Sequence, residues 1–280
     1  MTTIGFFGLG RMGRPIAGHL VAAGHQVIGF DPSPSAQEEA RAIGVEVIDD
    51  PSSLECPVVI TSLPDTPQVE EVYLGGLFDR LEPGSLCLDL STIDVDVSRA
   101  IGEKARQRGH DFLDCPLSGT SVHAVAGTLA VMVGGAADAV QRARSLLEVF
   151  SSSVHHLGPN GAGLEMKLIT NRLLTAHLVS LAEAILEMEQ AKLDTGTCLE
   201  ILRRGAVPKL LDYKAGPMAL RDHTPLFTVD LMAKDLGLAE LRRSAGAVGA
   251  TAAAVLRRAK EQGWGPSDIS AVIEVLETGG

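Results

Sequence analysis

Thr3-Ile4-Gly5-Phe6-Phe7-Gly8-Leu9-Gly10-Arg11-Met12-Gly13 opens the chain, and apolar residues follow at Ile16, Ala17, Leu20 and Val21. The first five residues read as a strand, and the later spacing reads as a helix. Between them stands G-x-G-x-x-G, the fingerprint of dinucleotide-binding turns, in the context it needs. Gly8 permits the tight turn, Gly10 lets the backbone approach a pyrophosphate, and Gly13 lets the helix pack close on the strand. The helix N-terminus then offers N–H groups and partial positive charge to the phosphates. With 30 glycines in 280 residues the pattern alone arises by chance about one time in three, so its context decides. A second strand, Gln26-Val27-Ile28-Gly29-Phe30, ends on Asp31, 18 residues beyond Gly13. An acid there accepts hydrogen bonds from the adenine ribose hydroxyls, whereas the bland reading is a loop residue before Pro32. Asp31 would repel a 2′-phosphate, and Pro32-Ser33-Pro34-Ser35 supply no arginine to bind one. That predicts NAD over NADP.

The length suffices for two domains with ample core. Hydrophobic residues make up 45% and charged residues 21%, a globular balance. A formal net charge of -11 argues against nucleic acid and anionic membrane as partners. Cys56, Cys87, Cys115 and Cys198 are widely separated and form no C-x-x-C pair. They read as reduced thiols of a cytoplasmic protein, not as a metal site. The first strand begins too early to leave room for a signal peptide, and no run of 18 apolar residues predicts a membrane span.

Strand and helix patterns alternate to about residue 157. Strands are expected at 3–7, 26–30, 57–61, 85–89, 111–114, 128–133 and 153–157. Helices are expected at 12–23, 34–43, 66–75, 94–108 and 136–149. Such alternation predicts an α/β fold, a doubly wound and mainly parallel sheet of Rossmann type. Gly158-Pro159-Asn160-Gly161 breaks the pattern, and every later periodic stretch reads as helix. The expected domains are 1–160, binding NAD, and 161–280, all-helical and serving substrate binding and dimerisation. A long interdomain helix joins them. Its stripe runs through Leu164, Leu168, Asn171, Leu174, Leu178, Leu181, Ile185 and Met188, in a helix of about 28 residues or roughly 42 Å. Later helices are expected at 196–205, 209–213, 227–246, 248–262 and 267–277, with apolar content enough for a core or a subunit contact.

Lys167 and Asn171 lie one turn apart at the start of that helix, so they point the same way. An ordinary helix lysine lays its stem along the apolar stripe and keeps its ammonium in water. The position favours chemistry, because the first turns of this helix are expected to face a cleft holding nicotinamide. Hydride transfer needs a group that moves the hydroxyl proton. His155-His156 sit in a strand, where successive side chains point to opposite faces, a poor arrangement for that work.

These blocks resemble the β-hydroxyacid dehydrogenases, the family of 3-hydroxyisobutyrate dehydrogenase and tartronate semialdehyde reductase. Ile4 to Pro15 is similar to the family's opening. Asp114-Cys115-Pro116-Leu117-Ser118-Gly119, with Ala124 and Gly127-Thr128-Leu129, is similar to its substrate loop. Gly158 to Gly163 with Lys167 and Asn171 resembles its catalytic helix. Phe227 to Leu231 with Lys234-Asp235-Leu236 and Leu238-Ala239 resembles its cofactor-closing helix. The four blocks stand in the family's order over essentially the whole chain.

The resemblance implies an NAD-dependent oxidoreductase acting on a small anionic hydroxyacid or semialdehyde, as a homodimer or homotetramer. It makes Lys167 the general acid/base, with Asn171 holding the substrate near it. Ser118 and Gly119 would offer a hydroxyl and an N–H to the substrate carboxylate. Leu9, Arg11 and Met12 complete the glycine loop, Leu63, Pro64 and Thr92 line the cofactor, and Lys234 reaches the closed cleft. A plain Asp230–Lys234 helix pair is the bland reading of that last lysine. The chain departs from the family at Thr120, where glycine is usual, and at Arg172, where asparagine is usual. Thr120-Ser121 is similar to the sulfolactaldehyde reductase branch, so Thr120 joins the substrate-binding candidates and the choice between carboxylate and sulfonate stays open. The rivals are an imine reductase, which usually lacks the lysine, and a non-catalytic dinucleotide-binding scaffold.

Overall fold

The computed structural model describes residues 1–205, 211–242 and 246–277. Contacts gather the chain into two compact units, Met1–Lys167 and Leu168–Gly280.

The first unit is built on nine strands: β1 (Thr3–Phe7), β2 (Gln26–Phe30), β3 (Glu46–Val47), β4 (Val58–Thr61), β5 (Leu86–Asp89), β6 (Asp111–Asp114), β7 (Leu117–Ser118), β8 (Leu129–Gly134) and β9 (Ser151–Gly158). Strands β1 to β6 are parallel in the order 3-2-1-4-5-6, the doubly wound Rossmann arrangement. Every residue of β4 and β5 is buried, which requires cover on both faces because successive side chains alternate. That cover comes from α1 (Gly13–Ala22), α2 (Pro34–Arg41), α3 (Thr66–Leu74), α4 (Val95–Gln107), α5 (Ser121–Ala126) and α6 (Ala137–Leu147). Beyond β6 the sheet changes character. β8 runs antiparallel to β6 and β7, while β9 runs parallel to β8.

Helix α7 (Ala162–Gln190) has 29 residues, about 44 Å at 1.5 Å per residue. Leu178, Leu181, Ala182 and Ile185 on it pack with Val229, Met232, Leu236, Leu256 and Ile273 into the core of the second unit. Among the described residues, the other α-helices of that unit are α8 (Thr195–Arg203), Gly216–Ala219, Val229–Arg242, Ala247–Ala259 and Val272–Glu277. Of the helix expected at 209–213, residues 209–210 lie outside the described residues, and Leu211–Ala215 form a π-helical turn. Residues 243–245 of the helix expected at 227–246 also lie outside them, and its described part is Val229–Arg242.

A buried ion pair ties this unit's irregular pieces together. Lys214 Nζ lies 2.6 Å from Asp268 Oδ1, with both side chains almost wholly buried. Asp268 Oδ2 accepts the N–H groups of Leu226 and Phe227. Burial pushes the Asp268 carboxyl up, but the ammonium and the N–H donors outweigh it and hold the group below the usual carboxylate range. Among the described residues, no helix is long and apolar enough to cross a membrane.

Candidate active site

Strand register assembles the site of the first unit. Phe7 pairs with Phe30 and with Thr61, Thr61 with Asp89, and Asp89 with Asp114. Five parallel strands therefore end on one line, and the segments after them leave from one edge. Strand order reverses at β1, between β2 and β4, and doubly wound sheets bind ligands in the crevice beyond such a point.

The glycine loop occupies that edge. Gly8 has φ +91°, which only glycine adopts freely, and its N–H donates to the Phe30 carbonyl at 2.9 Å. A Cβ on Gly13 would collide with the Gly8 carbonyl, so helix α1 can approach the turn only with glycine there. A Cβ on Gly10 would meet nothing within 4 Å. Met12, at the helix start, makes no side-chain cap, and no acid stands in the first turn. An open face at Gly10 beside an uncapped helix N-terminus fits a pyrophosphate.

Asp31 is 9% exposed and ties the loop to β2. Its Oδ2 accepts the Leu9 N–H and its Oδ1 the Ser33 N–H, both at 2.8 Å. Each carboxylate oxygen keeps a second lone pair for a ribose hydroxyl.

Asp89 fixes the two neighbouring loops. Its Oδ1 accepts from the Thr61 hydroxyl at 2.7 Å and the Ser91 N–H at 3.1 Å. The Ser91 hydroxyl in turn accepts the Leu63 N–H at 2.9 Å, so the Leu63-Pro64 and Thr92 segments share one support. Since the Thr61 proton goes to Asp89, the Tyr73 hydroxyl donates to Thr61 Oγ1. Asp89 Oδ2 is buried with no hydrogen-bond partner among the described residues. Burial dominates and raises the Asp89 carboxyl to about 6.

A pH dependence follows from that shift. Between the unfolded value of 3.8 and about 6, the folded chain holds a proton that the unfolded chain has lost. Stability from this group therefore falls as pH rises from about 4 to about 6 and is level above. At about 1.4 kcal/mol per unit, the loss is on the order of 3 kcal/mol. Urea unfolding of wild type and Asp89→Asn across pH 4–7 should show wild type losing stability relative to the variant as pH rises from about 4 to about 6. Parallel profiles would contradict the assignment.

The substrate-loop candidates follow β6. Ser118 and Gly119 are exposed, Gly119 has φ +129°, and Thr120 is half-buried. The Thr120 N–H donates to His123 Nδ1 at 3.1 Å, and the Thr120 hydroxyl lies equally near that nitrogen. His123 is thus part of this loop, a residue the sequence reading left without a role. Its signal was the Thr-x-x-His spacing, which imitates a capping box.

Lys167 is half-buried on α7. Asn171, one turn further along that helix, is 4% exposed, and its Nδ2 donates to Asp235 Oδ2 at 2.6 Å. Lys234 Nζ stands 3.1 Å from Asp235 Oδ1, and Asp230 pairs with Lys260 at 3.2 Å. Asp235 therefore organises both Asn171 and Lys234, a role not assigned from sequence. Arg172 is half-buried. His156 Nε2 sits near the carbonyls of Gly135 and Gly158, a structural place in β9. Among the described residues, no three His, Cys, Asp or Glu are placed to hold a metal ion.

The fold and the glycine loop define a Rossmann protein that binds NAD and carries a helical second part. Comparison with known proteins narrows this. Residues 3–158 match the NAD binding domain of 6-phosphogluconate dehydrogenase. Residues 161–276 match the family described as NAD-binding of NADP-dependent 3-hydroxyisobutyrate dehydrogenase. The NAD-dependent L-serine dehydrogenase of Pseudomonas aeruginosa is 37% identical, over 99% of this chain and 98% of its own. A probable 3-hydroxyisobutyrate dehydrogenase of Mycobacterium tuberculosis is 39% identical, over 90% of this chain and 88% of its own. A solved structure of Mycobacterium tuberculosis 3-hydroxyisobutyrate dehydrogenase with L-serine superposes with TM-score 0.89 at 35% identity, covering 99% of each chain. The chain belongs to the β-hydroxyacid dehydrogenase family.

Proposed function

We propose that this chain oxidises a small β-hydroxyacid, or reduces the matching semialdehyde, with NAD as hydride carrier. The observation that carries the reading is Lys167 followed one turn later by Asn171, on the helix where the family resemblance puts its proton carrier. The relatives support the substrate class, since L-serine and 3-hydroxyisobutyrate both carry a carboxylate and a β-hydroxyl. NAD bound at the glycine loop supplies the hydride acceptor.

In oxidation the neutral Lys167 amine takes the substrate hydroxyl proton as the carbinol C–H bond gives up hydride. In reduction the ammonium returns a proton to the developing alkoxide. A positioned acid/base of this kind contributes about 10²–10⁴-fold. Ser118 and the Gly119 N–H receive the carboxylate, and Asn171, its amide held by Asp235, orients the substrate. Because oxidation consumes the neutral amine, its rate falls as pH falls.

Asp31 assigns the preference to NAD over NADP. With no arginine in residues 32–35, this stretch offers a 2′-phosphate no positive charge to offset the Asp31 carboxylate. Asp31→Asn combined with Pro32→Arg should shift the NADP:NAD ratio of kcat/KM by on the order of tenfold, about 1.4 kcal/mol. A wild type that already uses both cofactors equally would contradict this reading of the pocket.

The function is tested by following NADH absorbance in both directions. The panel is L-serine, 3-hydroxyisobutyrate, a sulfonate analogue, the corresponding semialdehydes and cyclic imines. Turnover of a β-hydroxyacid or its semialdehyde is expected. Turnover of imines alone, or NADH binding without any turnover, would overturn the proposal.

A further inference from the structure

Helix α7 starts without a cap of its own. Gly161, just before it, has φ +91° and no side chain, and the Asn160 amide turns aside to donate to the Phe112 carbonyl at 2.7 Å. The first N–H groups of any helix lack partners within it and need acceptors from elsewhere. Asp114, the last residue of β6, supplies two. The Gly161 N–H donates to Oδ1 at 2.7 Å, and the Leu164 N–H donates to Oδ2 at 3.0 Å. The Glu165 N–H bonds the Gly161 carbonyl, so these donors are the N-cap residue and the third helical residue. A capping box serves those two positions with two local side chains. Here a single carboxylate serves both, from 47 residues upstream of Gly161.

The clamp is tight. Asp114 is fully buried. A Cβ on Gly134 would come within 2.5 Å of Oδ1, and one on Gly163 within 2.9 Å of Oδ2. Two bonds to two residues fix how the helix is turned about its axis as well as where it begins. A change of one residue in capping register turns a helix by about 100°. Lys167 stands three residues beyond Leu164, so that angle decides where its amine points.

We infer that Asp114 is a positioning residue for the reaction, acting through Lys167 by locking the start of α7. The inference rests on the proposed role of Lys167 as proton carrier. Asp114→Asn keeps the shape but turns an NH₂ group toward one of the two N–H donors. It should lower kcat by about 10–100-fold, as small misplacements of a reacting group do. NADH affinity, read by fluorescence titration, should stay within about twofold of wild type, because the glycine loop is untouched.

A double-mutant cycle gives a result that a purely structural role would not produce. In a Lys167→Met background, Asp114→Asn should lower kcat by less than about twofold, since the group it positions is gone. If Asp114→Asn fails to fold, Asn160→Ala loosens the same turn without touching the buried carboxylate, and takes its place in the cycle. Equal loss in both backgrounds, or no loss in the Lys167 background, would overturn the inference while leaving the lysine's role standing. Near-normal turnover by Lys167→Met alone would overturn that role, and this inference with it.

Discussion

Alanine at Gly10 is expected to leave the fold intact and remove most NADH affinity, whereas alanine at Gly13 is expected to damage both. A methyl on Gly10 meets no protein atom within 4 Å, and the residue's φ lies outside the left-handed region. Nothing in the chain resists it, so the melting temperature should be unchanged. The same methyl stands where the glycine-loop reading brings a pyrophosphate to the backbone, and a collision there should weaken NADH binding by about 10–100-fold. Gly13 is different because a Cβ there strikes the Gly8 carbonyl, a backbone atom that cannot swing aside. Ordinarily Ala in a helix is favoured over Gly by roughly 0.5–1 kcal/mol. Destabilisation of about 1–3 kcal/mol by Gly13→Ala would therefore report the collision itself. Thermal unfolding and fluorescence titration of the two variants read these effects separately. Gly10→Ala binding NADH as wild type does would mean that the phosphates lie elsewhere.

What could be read from sequence was what local periodicity writes down. β1, the glycine turn, α1, β2 and Asp31 stand in consecutive residues, each with its own pattern, and the structure places them as expected. Helix α7 was legible because a stripe repeated over about seven turns admits no other structure. The two-residue strands Glu46–Val47 and Leu117–Ser118 were not, since two residues carry no period. Helix α5, six residues long and opened by Thr120 and His123, was equally silent.

The deeper omissions were long-range. Asp114 was visible as part of a substrate-loop motif, yet its bonds run to Gly161 and Leu164. Asp235 was visible in the Lys234-Asp235-Leu236 block, yet its bond to Asn171 crosses 64 residues. Burial explains both cases. A carboxylate taken out of water must find donors, and the donors it finds are set by packing, not by neighbours in the chain. The helical unit's Lys214–Asp268 pair was missed for the same reason.

The proposed role of Lys167 carries the mechanism, and one measurement addresses it. Lys167→Met keeps much of the side-chain volume and removes the amine proposed to carry the proton. The variant would be loaded with NADH and mixed in a stopped-flow instrument with the semialdehyde that the substrate panel identifies. The decay of NADH absorbance is then followed through a single turnover. NADH should bind within about twofold of wild type, while the hydride-transfer rate falls by about 10²–10⁴-fold. A rate near that of wild type would mean that Lys167 is an ordinary helix lysine and that the proton moves by another route.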